Sequence, residues 1–294
     1  MGQESEAMFK KIAALIDRLP GEWLVFISAF LFSTAGGVTK SFQMDAILLP
    51  GVRSMLAGLV LLPFLRPKKI VWDRWLLLLI ASFTGLVLCI LCAIRFTIAA
   101  NALALQFTTP LFICLGNWIF RHKRPSLRRL VPIVIMLAGI IIILCEPNTG
   151  TNFMGNLFGV GAGLAFAGVS VSLNRVRAGG YLSTIALLNL AAGVLILTAL
   201  LLWPSYHIYI ELSAIPYVLF LGLVQLSGGY IFYMMGVRKV GPQKASILGA
   251  WEFILTPVWA FLLVRELPTV YGAIGWVVLL IAVFIENRFV KETD

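Results

Sequence analysis

The chain has 294 residues, 60% of them hydrophobic and only 12% charged, with a mean hydropathy of +0.97, whereas soluble domains carry about 25% charged residues. That composition excludes a soluble globular domain. Lys and Arg outnumber Asp and Glu by 23 to 13, an excess that points to nucleic acid in a soluble protein but marks cytoplasmic loops in a membrane protein.

In the first segment, Phe9, Ile12, Ile16 and Leu19 recur at helical spacing with Lys10, Lys11 and Asp17 off that line. This predicts a short amphipathic helix on the cytoplasmic membrane surface over residues 1–21. Charges from Glu4 to Arg18 interrupt the stretch, so it is not read as a signal peptide. Apolar runs long enough to span a bilayer follow at 23–39, 47–65, 75–94, 99–120 and 130–145. A second set follows at 156–174, 181–203, 215–236, 245–264 and 269–286. At about 20 residues per crossing, the predicted fold class is an all-α integral membrane protein of ten transmembrane helices. The expected divisions are a five-helix repeat over 22–145, an external linker over 146–155, a second repeat over 156–286 and a cytoplasmic tail over 287–294.

The basic residues fall on alternate loops. Nineteen lie on one side, in the N-terminal segment, at 66–74, 121–129, 175–177, 238–244 and in the tail, while only Lys40, Arg95 and Arg265 lie on the other. Arg53 sits inside a span. The pattern places both termini in the cytoplasm of a cell with this chain in its inner or plasma membrane, and it accounts for the positive charge without nucleic acid. Five helices starting inside and five starting outside imply two inverted-topology repeats. An offset of 143 pairs Arg95 with Arg238, Ala102 with Ala245, Leu105 with Leu248, Pro125 with Pro268, Val134 with Val277 and Leu137 with Leu280.

Two stretches carry a family likeness. "RFTIAANALALQFTTPLF" (95–112) and "RKVGPQKASILGAWEFILTPVWAFLLVREL" (238–267) resemble the third-to-fourth-helix signature of the EamA-type branch of the drug/metabolite transporter superfamily and its counterpart in the second repeat. "LLPGVRSMLAG", around Arg53, resembles the second helix of the same proteins. The chain departs from the usual pattern with Phe32 before the polar pair of helix 1 and with Lys123 and Arg124 at the end of helix 4. The resemblance implies a carrier with a central cavity lined by helices 1 to 4 and 6 to 9, with helices 5 and 10 as outer supports.

Arg53 is the one basic residue in the middle of a span, at a cost of about 2.5 to 3.5 kcal/mol on insertion scales. It reads either as an anion-binding group or gate, or as a tie to carbonyls or to Glu252. Glu252 is the one carboxylate deep in a span. A carboxylate there can load a proton on one side of a membrane and release it on the other, or serve as a substrate contact or structural partner. Among the polar residues at membrane depth, Ser33, Thr34, Asn101, Gln106, Gln225 and Tyr230 are candidates for substrate contacts, the alternative being hydrogen bonds between helices. Trp251, Trp259 and Phe107 offer rings for stacking, although packing and interface anchoring use the same side chains. Pro110 and Pro257 are expected to bend helices 4 and 9. Gly155, Gly159 and Gly163 repeat at the spacing that lets backbones approach, within the chain or in a homodimer.

Cys89, Cys92, Cys114 and Cys145 lie in apolar segments, so neither disulfides nor a redox role is expected. His122 and His207 fall in loops on opposite sides, and no metal, cofactor or catalytic group is expected. The expected function is secondary active transport of a small organic metabolite, amino-acid-like or related, by alternating access with proton or exchange coupling. The alternative is a non-transporting membrane scaffold. The expected partners are the small-molecule substrate and the lipid bilayer.

Overall fold

The computed structural model describes residues 19–121, 127–145, 153–173, 175–203, 209–249 and 251–290. The amphipathic segment expected at the start, both histidines and most of the 146–155 linker lie outside them. The described residues form helices and connecting turns, with two isolated bridges, Met44 to Ile210 and Ile70 to Ala178, as the strand-like pairings. The first half comprises α1 (Gly21–Lys40), α2 (Leu48–Leu61), α3 (Arg74–Phe96), α4 (Ala99–Gln106), α5 (Thr109–Arg121) and α6 (Leu127–Leu144). The second comprises α7 (Phe153–Leu173), α8 (Tyr181–Leu201), α9 (Ile215–Leu219), α10 (Ser227–Val240), α11 (Pro242–Gly249), α12 (Trp251–Val264) and α13 (Val270–Val290). A π-helical stretch, Phe220–Leu226, joins α9 to α10 without a break.

Six of these segments are long and apolar enough to cross a membrane, and four shorter apolar helices accompany them. Their outward faces carry large apolar side chains such as Leu77, Ile119, Phe153, Leu164 and Phe284, which only a lipid surround spares from water. Inside, Leu49, Leu61, Leu79, Leu91, Leu188 and Leu221 gather between α2, α3, α8 and the π-helical stretch. Met136, Ile143 and Leu279 form a second core between α6 and α13.

One span expected to be continuous is broken. At Phe107–Thr108 the cause is local: Pro110 has no N–H to offer the Gln106 carbonyl, and that carbonyl accepts the Thr109 hydroxyl at 2.8 Å while Leu105 accepts the Thr108 hydroxyl at 2.8 Å. Pro110 therefore opens α5, a position that suits its fixed φ, and does not bend a continuous helix. Pro257 lies well inside α12.

The two halves correspond. Helices α4 and α11 start at Ala99 and Pro242, 143 residues apart. The packing repeats in the same way. Helix α3 lies along α7 as α10 lies along α1, α4 meets α7 as α11 and α12 meet α1, and the pairs α2 with α8 and α6 with α13 complete the set. Glycines permit the closest of these approaches. A side chain at Gly155 would meet the backbone of Phe96 and Thr97 at 2.6 and 2.7 Å, and one at Gly21 would meet Lys239 and Val240 at 2.6 Å. The glycine face of α7 thus packs within the chain, with Gly159 against Leu105.

Candidate functional site

The polar residues of the interior centre on Arg53. Helix α2 carries it into the core, where it is only 7% exposed, and its Nη2 donates to Gln225 Oε1 at 2.7 Å. Gln225 is fully buried and passes the connection on, its Nε2 donating to the Phe32 carbonyl of α1 at 3.2 Å. The π-helical stretch makes this meeting geometrically available. Its wide turn frees the Gly222 carbonyl for the Ser227 hydroxyl at 2.7 Å, and Gly222 lets it press against Leu56 and the Arg53 carbonyl. Wide turns of this kind concentrate at functional sites. Arg53 Nε has no hydrogen-bond partner among the described residues, so a buried donor is left available beside the Gln225 bond.

Glu252 lies within electrostatic reach of Arg53 and Tyr230, but no ion pair joins it to Arg53 among the described residues. Its backbone carbonyl accepts the Thr256 hydroxyl at 2.7 Å within α12. Tyr230 packs edge-on against Phe32, with ring centroids 5.4 Å apart, which completes a ring of residues from α1, α2, the π-helical stretch, α10 and α12. At the α4–α5 break, Phe107 meets Phe253 of α12 with centroids 3.9 Å apart.

The remaining candidates are dispersed. Ser33 accepts the indole N–H of Trp259 at 3.1 Å and donates to Phe30 O, while Thr34 donates to its own helix at Leu31 O. Asn101 is fully buried with its amide oxygen against Gly272 of α13, so it faces an outer support. Gln106 is half-buried at the end of α4. Trp251 is 43% exposed and packs edge-on to Phe26 of α1.

A second group of residues, not singled out from the sequence, lines a cavity of about 650 Å³ at one end of the bundle. Its walls include Lys40, Asp45, Cys92, Arg95, Phe158 and Glu266. Lys40 at the end of α1 forms an ion pair with Glu266, whose other oxygen accepts the Ala99 N–H at 2.7 Å. Lys40 also donates to the Thr97 carbonyl at 2.6 Å, and the Thr97 hydroxyl donates to Asn156 Oδ1 of α7 at 2.7 Å. The latch so formed ties the start of α4 and the end of α1 to two elements of the second half. Arg265, just before Glu266, holds φ at 54°. That left-handed position closes α12 through a bond from its N–H to the Phe261 carbonyl at 3.0 Å, a cap usually assigned to glycine. The signal available in the sequence was scarcity: Lys40 and Arg95 are two of only three basic residues on their side.

The Lys40 and Glu266 side chains are 16% and 17% exposed, and removing one partner of such a pair costs about 3 to 5 kcal/mol when it is fully buried. Glu266→Ala is expected to open this end of the bundle. Glu266→Gln, which keeps an acceptor for Ala99, should do so less. Cys92, 2% exposed with its thiol directed to Ala46 O, provides the readout. In a chain with the other three cysteines changed to Ser, a membrane-impermeant thiol reagent should label Cys92 faster in the Ala variant. Unchanged labelling would show that the pair does not hold this end closed.

Across residues 19–145 and 153–288 the chain matches the EamA-like transporter family, one match in each half, and it belongs to that family. It is a multi-pass membrane protein of the transporter class. It is 25% identical over 268 residues to an uncharacterized transporter of Archaeoglobus fulgidus, covering 91% of this chain and 96% of that protein. It is 26% identical over 282 residues to the uncharacterized inner membrane transporter YicL of Salmonella typhimurium, covering 89% and 93%. A further match, to an uncharacterized transporter of Synechocystis, is 25% identical and covers 59% of this chain and about half, 54%, of that relative. A solved crystal structure shares the fold with a TM-score of 0.58 at 18% identity, covering 92% of this chain and 97% of its own.

Proposed function

We propose that this protein is a secondary carrier of a small organic metabolite, with ten spans in two inverted repeats that alternate access to a central site. The observation that carries the reading is the buried polar cluster drawn from both halves, Arg53 bonded to Gln225 with Glu252 in electrostatic reach, close to the helix break at Phe107–Thr108, where Phe107 packs on Phe253. Irregular backbone at membrane depth is tolerated where it is buried in protein or lines a cavity, and discontinuous helices frame the binding sites of many carriers. Coupling runs on a proton gradient or on exchange. The loop at 41–47 between α1 and α2, the end of α3 and the Glu266 turn face outward in this reading, and the loops at 66–74 and 175–180 face the cytoplasm of an inner-membrane or plasma-membrane protein.

Counterflow in proteoliposomes tests the function. Vesicles loaded with one member of a metabolite panel should take up the same labelled compound against its gradient; no exchange for any compound, with the protein folded, would favour a scaffold. Single-cysteine labelling tests the topology. A reporter at Lys68 should react only after the cytoplasmic side is opened and one at Gln43 without opening; the reverse pattern would invert the assignment.

A further inference from the structure

The end of the bundle opposite the Lys40–Glu266 latch collects positive charge from two distant loops. Val71 N–H donates to the Arg177 carbonyl at 3.0 Å beside the Ile70 to Ala178 bridge, and Arg66 N–H donates to the Ser183 hydroxyl at 3.0 Å. Gly179, with φ at 79°, packs directly under Arg66 and Lys69. The loop following α2 is thereby stitched to the loop preceding α8, one from each half. Arg66, Lys68, Lys69, Arg74, Arg175 and Arg177 are all exposed on the resulting surface. The one acid in these two stretches, Asp73, has its Oδ1 occupied in capping α3 through the Leu76 N–H at 2.8 Å.

Two of these cations are held together. The guanidinium of Arg175 lies 4.0 Å from the centre of the Trp75 ring and that of Arg74 lies 5.4 Å from the same ring. Two exposed guanidiniums set against one indole present adjoining donors that an anion can bridge. Apolar side chains flank the patch, with Trp72 67% exposed, Leu77 60% and Leu62 46%, so an anion with an apolar body satisfies both surfaces. We infer that this patch binds the headgroup of an anionic phospholipid, with the phosphate at Arg74 and Arg175 and the acyl chains along α2 and α3. Basic pockets between transmembrane helices recognise anionic headgroups through the same chemistry, and a lipid there would clamp the two halves at this end.

The test is native mass spectrometry of the delipidated full-length protein in detergent, with phosphatidylglycerol and phosphatidylcholine as probes. Retention of phosphatidylglycerol should exceed that of phosphatidylcholine at least about tenfold, a difference of roughly 1.4 kcal/mol. The double variant Arg74→Gln/Arg175→Gln should remove most of that preference, whereas Arg238→Gln, at another basic turn, should leave it intact. Should the double variant fail to fold, Lys68→Gln/Lys69→Gln at exposed positions is expected to weaken retention instead. Equal retention of the two lipids, or equal loss in the Arg238 variant, would overturn the assignment. Displacement by inorganic phosphate alone would also overturn it, in favour of a soluble anion.

Discussion

Replacing Arg53 with Ala is expected to abolish substrate exchange in proteoliposomes, with Lys restoring only part of it. The guanidinium presents several donors in a fixed plane, and one of them, Nη2, is engaged by Gln225 while Nε has no hydrogen-bond partner among the described residues. An ammonium at the same place can satisfy Gln225 or reach a second group, but it cannot reproduce the fork. Gln225→Leu separates the two roles of the arginine. It removes a hydrogen bond to a charged group, worth about 1.5 to 3 kcal/mol, without removing the charge. If Arg53 binds an anionic group of the substrate, neutral analogues should lose far less exchange than anionic ones on Arg53→Ala. Equal loss for both, with the protein folded, would leave Arg53 as a tie between α2 and the π-helical stretch.

Gradient-driven accumulation should disappear in Glu252→Gln while counterflow survives. The motive is position. Glu252 is half-buried in α12, with Arg53 and Tyr230 within electrostatic reach. A carboxylate offered to each side in turn takes up a proton on one and yields it on the other, and only net movement needs that cycle; exchange of substrate for substrate does not. The Gln variant mimics the loaded form throughout. Accumulation that still follows an imposed proton gradient would remove Glu252 from coupling. Loss of counterflow as well would make it a substrate contact.

The all-helical membrane fold and the order of the apolar helices were legible in the sequence, because apolar length is a property of single segments. The 143-residue offset read there recurs in the starts of α4 and α11. What could not be read were backbone events inside apolar runs. Hydropathy is blind to whether the Gln106 carbonyl finds an N–H or a hydroxyl, so the break at Phe107–Thr108 was hidden, and with it the helix-start setting of Pro110. The partner of Arg53 was hidden for another reason: Gln225 lies 172 residues away, and no local pattern links them. Lys40, Arg95 and Glu266 read as ordinary loop charges until the fold brought three helix ends around one cavity.

The π-helical stretch between α9 and α10 has a kinetic consequence. A wide turn holds one residue more than an α turn, and it moves along a helix by exchanging one hydrogen bond at a time, rotating each residue it passes by about 100°. Gln225, near the end of that stretch, is therefore one small step from turning away from Arg53. Such a step breaks the link between α2 and α1 by a twist local to one strand of the bundle, leaving the leucine core beside it packed, so the interior can be unlocked at far lower cost than by parting two halves across their whole interface.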